Sequence, residues 1–341
     1  MKLQELGEFK LTKLISEIID KSRCLDHASW QDLSIGPGDD AAVWQSSNHT
    51  QMATTDTMVQ GVHFDLDTVT WEELGWKALA VSLSDIAAMG GIPQYALVSL
   101  SLPVELEAES ISRLIKSMTC LAGKFETAIV GGNLTSAPNV VITTTIIGYS
   151  RSEILKRSTA CAGDHIAVTG YLGTSAAWLK NLLGKTTLDA RSQEILRRAH
   201  LQPTPRIKEG QALVQQGIRT AIDISDGLIA DLNHICESSK LNAWIGLEQI
   251  PVHPLVKLNF PDYQELALCG GEDYELLFTA NKNAIDMTRQ VLSCPVTVIG
   301  EITEQAQPEH VVLRDKKGNI IPHKKEGWNH FGNEFSRAKL T

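Results

Sequence analysis

The sequence has no run that approaches the roughly 18 uninterrupted apolar residues of a membrane-spanning helix, so none is expected. Its opening, MKLQELGEFKLTKLISEIID, is charged throughout and lacks the apolar core of a secretion signal, so a cytoplasmic protein is expected. The six cysteines (Cys24, Cys120, Cys161, Cys236, Cys269, Cys294) form no C-x-x-C pair and no cluster with histidine. That indicates neither a zinc site nor a disulfide framework and leaves most of them as small core residues. Basic charge is also short. The 31 Lys and Arg against 40 Asp and Glu leave a net charge of −9, the wrong sign for a nucleic-acid surface. A phosphate ligand is still open to such a chain, with metal ions as intermediaries. There is no fixed-period repeat, no low-complexity segment and no P-loop. LLGKTT, at 182–187, looks like the end of one. However, Leu179 stands where its first glycine would be, and the segment follows a helix rather than a strand. Gly184 reads instead as a helix C-cap.

What is present is the composition of an ordinary soluble protein, 43% hydrophobic and 21% charged in 341 residues, enough for one large domain or two medium ones. Apolar-periodic segments and β-branched runs alternate from end to end, which predicts an α/β or α+β fold. Leu11 to Asp20 reads as a helix, with Leu14, Ile15, Ile18 and Ile19 on one face. QMATTDTMV reads as a strand leaving a first hairpin. Thr70 to Glu73 fits a capping box that opens a long helix ending at MGG. YALVSLSLP, AIVGGN and VVITTTIIGYS are three more strands. A second half begins near Arg151, dividing the chain into 1–150 and 151–341. In it GDHIAVTG is a strand, TSAAWLKNLLG a helix, RTAIDISDGLIADLNHICES a strand, turn and helix, PVTVIG a strand, and VVLRDKKGNII a hairpin.

Several aspartates sit in awkward places. Asp39 and Asp40 follow a Gly-Pro-Gly turn. Asp56 interrupts a strand, where aspartate is disfavoured. Asp85 lies in a helix that is apolar on nearly every side. An ionised carboxylate there costs several kcal/mol, on the order of its desolvation penalty, unless a cation or hydrogen-bond donors compensate. Asp223 ends the strand TAID, with Asp226 just beyond it. Ser225 is placed to cap the following helix, whose N-terminus could face an anion. Glycine turns recur beside these acids in GPGDD, MGG, VGGN, GYLGTS and CGGEDYE. Each alone is an ordinary turn. Together, without a P-loop, they suit a polyphosphate held through hard cations, the arrangement phosphoryl transfer needs.

The motifs GDDAAV, TTDTMVQGVHF, LAVSLSDIAAMGG, VGGN, KRSTACAGD, DISDGL and GGEDYELLFT follow in this order, with GEF near the start and GWNHF near the end. This series closely resembles the thiamine-monophosphate kinases of the aminoimidazole ribonucleotide synthetase superfamily, from Gly7 to Phe331. The resemblance implies ATP-dependent phosphorylation of thiamine monophosphate to thiamine diphosphate. The γ-phosphoryl group would pass directly in line, assisted by several Mg²⁺ ions, with no covalent nucleophile. It implies metal ligation by Asp40, Thr54, Thr55, Asp56, Asp85, Asn133, Asp223 and Asp226. ATP would be contacted by Gly132, Arg157 and Ser225, and thiamine monophosphate by His63, Glu272 and Trp328. Taken alone, His63 and Trp328 read as core residues. The implied fold is two α/β domains. The first binds ATP and Mg²⁺ and pairs its sheet with a partner's in a homodimer barrel, and the second completes the nucleotide and substrate sites. Asn133 departs from the aspartate the family often carries there. It keeps a ligating oxygen but loses a charge. Related enzymes fit less well: selenophosphate synthetase needs a reactive residue in an N-terminal glycine loop, where Cys24 does not lie. The hydrogenase-maturation protein needs a C-terminal cysteine, and this chain ends RAKLT.

Overall fold

A computed structural model describes residues 2–6, 8–22, 28–31, 33–35, 43–44, 49–184, 187–304, 310–322 and 327. The chain divides into two compact units, one built on Met1–Ile86 and Gly91–Arg151, the other on Ala87–Gly90 and Ser152–Ala338.

In the first unit β1 (Leu33–Ile35) and β2 (Val43–Trp44) form a short antiparallel pair. β3 (Thr50–Val59), β4 (Ile92–Leu102), β5 (Ala128–Ser136) and β6 (Val141–Ser150) form a sheet in the order β3–β6–β4–β5, with β4 and β5 parallel. Buried and half-buried residues alternate along β6, as a sheet with one helix-covered face requires. The covering helix is Trp71–Ala88. Its capping box forms: Thr70 N donates to Glu73 Oε2 (2.8 Å), and Glu73 N donates to Thr70 Oγ1 (3.2 Å). Gly90, at φ +67°, follows its end. The helix is apolar on nearly all sides because it is covered on two. Thr144 Oγ1, from the sheet, donates to the Ala78 carbonyl. On another side lies the helix Ala108–Lys124, so close that a Cβ added at Gly75 would stand 2.2 Å from the Leu114 carbonyl oxygen. Arg113 braces this contact with a two-pronged bond to Glu72, at 2.6 and 2.7 Å.

The second unit is built on seven strands: β7 (His165–Thr169), β8 (Thr220–Asp223), β9 (Asn242–Gly246), β10 (Leu276–Ala280), β11 (Val296–Thr303), β12 (Val311–Arg314) and β13 (Ile320–Ile321). Their order is β13–β12–β9–β11–β7–β10–β8, antiparallel except for β12 beside β9. Ile166, Val168, Ile222 and Leu277 of the sheet pack with Trp178 of helix Thr174–Leu182, Leu196 of helix Ala190–Leu201 and Leu228, Leu232 and Ile235 of helix Leu228–Ser239. Gly184 takes φ +74° just past the first of these helices, the left-handed closure expected of it. β12 and β13 form the expected hairpin, its turn pinned by Asp315 Oδ1 accepting from Lys317 N and Asn319 N, both at 2.8 Å. Among the described residues no helix is long and apolar enough to cross a membrane.

Candidate active site

Thr54 and Asp56 are two residues apart on β3 and share one face of it. Helix Trp71–Ala88 covers that face, and Asp85 meets it from the last turn of the helix. Thr54 Oγ1 donates to Asp85 Oδ2. Asp56 Oδ2 is buried with no hydrogen-bond partner. Burial lifts the Asp56 carboxyl to about 6; the charge of Asp85 adds to the rise and a Ser82 hydrogen bond opposes it. Two acids in this setting, one with an unsatisfied oxygen, are a donor set that a hard cation would complete.

Other expected residues of this unit lie apart from that pair. Thr55 faces the opposite side of the sheet, where its Oγ1 donates to the Thr144 carbonyl (3.1 Å) and meets Thr145 Oγ1 (2.9 Å). Gly132 and Asn133 lie on β5, at the other edge. The register runs Asp56–Thr144–Val98–Gly132. Three strand spacings therefore separate Asp56 from Gly132, roughly 14 Å. Asn133 is exposed. His63 lies in the turn after β3, its Nδ1 accepting the Val59 N–H at 3.0 Å, which places the proton of a neutral ring on Nε2. Asp39, Asp40 and Trp328 lie outside the described residues.

In the second unit β8 delivers the buried Asp223 at its end. The helix that follows corrects one expectation: Ser225 is not its cap. The helix starts at Leu228 with Gly227 at the N-cap, at φ +122°, where a Cβ would lie 2.9 Å from the Cys269 carbonyl carbon. Asp231, in the first turn, reaches back instead, and its Oδ2 accepts from Asp226 N (3.2 Å) and Gly227 N (3.1 Å). Burial lifts the Asp231 carboxyl to about 8, with Asp223 and Asp226 adding to the rise. Asp226, Asp231 and His234 offer ligand atoms within 4.8 Å of one another. Sequence reasoning missed Asp231 and His234, whose spacing of three on a helix after DISDG was the available signal.

The GGEDYE loop lies against this turn. Glu272 N donates to the Ser225 carbonyl (2.7 Å) and Tyr274 N to that of Ile224 (2.9 Å). Glu272 and Tyr274 take φ +65° and +52°, left-handed backbone at residues other than glycine. Between them Asp273 sits half-buried at the start of helix Thr174–Leu182, accepting from Gly173 N (2.7 Å) and Ser175 N (3.2 Å). Burial lifts its carboxyl to about 7, against the pull of those two bonds. Glu275 accepts from Arg206 Nε (2.7 Å) and Nη2 (2.5 Å) and from Thr169 Oγ1 (2.6 Å). Gly327, which precedes Trp328, packs on the Asp226 carbonyl; an added Cβ would stand 2.6 Å from its oxygen.

Asp223, Ser225, Asp226 and Glu272 are thus neighbours. Arg157 is not one of them within this unit. Its carbonyl accepts from Ser239 Oγ (2.9 Å), at the far end of helix Leu228–Ser239. The length of that helix, roughly 16 Å, separates it from the turn that holds Ser225.

The N-terminal domain model of the AIR synthase related proteins matches residues 38–150, and the C-terminal domain model matches residues 162–312. The thiamine-monophosphate kinase of Bacillus subtilis (strain 168) is 36% identical over 318 residues, covering 91% of this chain and 96% of that protein. The chain belongs to the thiamine-monophosphate kinase family. Among solved structures, the thiamine-monophosphate kinase from Stenotrophomonas maltophilia K279a superposes with a TM-score of 0.78 at 34% identity, covering 89% of this chain and 96% of that one. AaThiL complexed with AMPPCP and TMP superposes with a TM-score of 0.74 at 32% identity, covering 97% and 99%. Membership makes the chain a phosphotransferase of the two-domain AIR synthase-like α/β fold. Asn133 stands exposed on the edge strand β5, apart from Asp56 and Asp85.

Proposed function

We propose that the chain phosphorylates thiamine monophosphate with ATP, giving thiamine diphosphate and ADP by direct in-line transfer of the γ-phosphoryl group. The observation that carries this reading is the half-buried pair of Asp56 and Asp85, with its one unsatisfied Asp56 oxygen, in a chain that matches thiamine-monophosphate kinases along nearly its full length. The unsatisfied oxygen and raised carboxyl of Asp56 fit a hard cation. Asp40, Thr54, Thr55, Asp56, Asp85, Asn133, Asp223 and Asp226 are the residues proposed to hold Mg²⁺, with Thr55 contributing from the other face of its strand. Mg²⁺ held by these residues would neutralise phosphate charge, the chemistry that phosphoryl transfer requires.

The remaining roles belong to the chain's own groups. Ser225, in a turn whose backbone is fixed by Glu272 and Asp231, is proposed to orient the nucleotide phosphates; Gly132 is proposed as a separate contact to ATP. Arg157 supplies a permanent cation to another part of the nucleotide. Glu272 offers a carboxylate to the cationic ring of thiamine monophosphate, Trp328 a flat apolar face, and His63 an N–H donor at Nε2. The first unit is proposed to form a homodimer, its four-stranded sheet pairing with a partner's into a barrel. A cytoplasmic location fits these substrates.

The deciding experiment supplies purified protein with ATP, Mg²⁺ and thiamine monophosphate, and quantifies both products against a control without acceptor. Thiamine diphosphate and ADP should appear in equal amounts. ATP binding without thiamine diphosphate would overturn the reading.

A further inference from the structure

Glu272 is held in an uncommon way. Its backbone is left-handed although it bears a side chain, a state that persists only where the surroundings over-determine it. Those surroundings include a second layer behind the loop. Ser175, whose N–H is bound by Asp273, places its Oγ 2.8 Å from His200 Nδ1. The same ring nitrogen lies 3.5 Å from Glu272 Oε2. Ser175 and His200 are buried, at 1% and 5% exposure, whereas the Glu272 side chain keeps 30% of its surface open. The carboxylate therefore has a fixed inner edge and an open outer one. His200 comes from the last turn of helix Ala190–Leu201, an element separate from both site loops.

We propose that His200 is a positioning residue for the substrate's cationic ring: seated on Ser175, it fixes the Glu272 carboxylate so that its open edge meets that ring. This rests on the assignment of Glu272 to thiamine monophosphate. A carboxylate set in advance spends less binding energy on ordering, and a small misplacement weakens recognition of the one substrate it serves.

The test compares His200→Leu, His200→Asn, Glu272→Gln and the double variant His200→Leu/Glu272→Gln in the full chain with Mg²⁺. It reads kcat, KM for each substrate and melting temperature. Leucine fills the space without a polar atom, whereas asparagine can place its amide near Nδ1. His200→Leu should raise KM for thiamine monophosphate about tenfold, with kcat and KM for ATP within about twofold, and His200→Asn should recover most of the loss. The double variant should be no worse than Glu272→Gln alone. If His200→Leu raises both KM values alike, or adds its full effect in the Glu272→Gln background, His200 supports only the fold and the proposal fails. Should His200→Leu not fold, Ser175→Ala, which removes the hydroxyl the ring rests on, is read by the same outcomes. A wild-type protein that makes no thiamine diphosphate sinks the functional reading and this proposal together. Wild-type turnover with additive variants sinks this proposal alone.

Discussion

Asp56 meets opposite demands with and without a bound cation. Without one, its carboxyl is buried beside Asp85 and its proton leaves at about 6 rather than 3.8. The native state then holds this proton to higher pH than the unfolded chain does, so the group costs stability progressively as pH rises from about 4 to 6. Asp56→Asn should raise the melting temperature of the metal-free protein at pH 7.5, and thermal scans should show that advantage shrinking below pH 5. The same substitution, or Asp85→Asn, should cut turnover at least about 10²-fold, roughly 2.7 kcal/mol of barrier. A variant within threefold of wild type would remove its residue from the cation set. Because the ionised carboxylate is the form that binds a hard cation, the Mg²⁺ concentration for half-maximal rate should climb as pH falls below 6. Asn133 supplies the complementary case. Asn133→Asp restores a charge and should lower that Mg²⁺ concentration at pH 7.5, whereas an unchanged requirement would show that this part of β5 does not reach the metal.

At the scale of elements, the turn after β8 and the loop before β10 behave as one piece, tied by two backbone bonds and anchored from below. The strongest anchor is Glu275, gripped by Arg206 and Thr169. Arg206→Met would leave that carboxylate buried without its cation and should destabilise the protein by about 3–5 kcal/mol, read as a drop in denaturant midpoint. Glu275→Gln, which removes the charge itself, should cost less. Local signals in the sequence located these elements well. The Thr70 to Glu73 box and Gly184 depend on a few consecutive residues, and both formed as read. Ser225 failed as a cap because the chain runs on to Gly227 before it can turn into the helix, and an acid inside the first turn takes over the N–H groups. From sequence alone Asp231 looks like any polar residue on a helix surface.

For the whole molecule, the expected assembly is a dimer built on the four-stranded sheet, whose edge strands in the described chain are β3 and β5. Light scattering should therefore give twice the chain mass of 37.3 kDa, and a monomer would remove the proposed barrel. The two-domain fold was legible because hydrophobic period and motif order extend along the whole chain. Asp56 and Asp85 were legible because each contradicts its own surroundings, an acid in a β-run and an acid in an apolar helix. What a one-dimensional reading could not supply was facing and distance. It grouped Thr54 with Thr55, which point to opposite sides of one strand, and Arg157 with Ser225, which a helix length separates. It also left His200 as a helix-end residue, since nothing nearby in sequence points to Glu272. The acids Asp231 and Asp273 have one more effect, on the solution behaviour of the molecule. The formal charge of −9 counts every aspartate as ionised. With Asp231 at about 8 and Asp273 at about 7, the folded protein at neutral pH keeps on the order of one to two protons that the count omits. It should migrate in an electric field as a less acidic particle than its composition states, and unfolding it in unbuffered solution should acidify the medium.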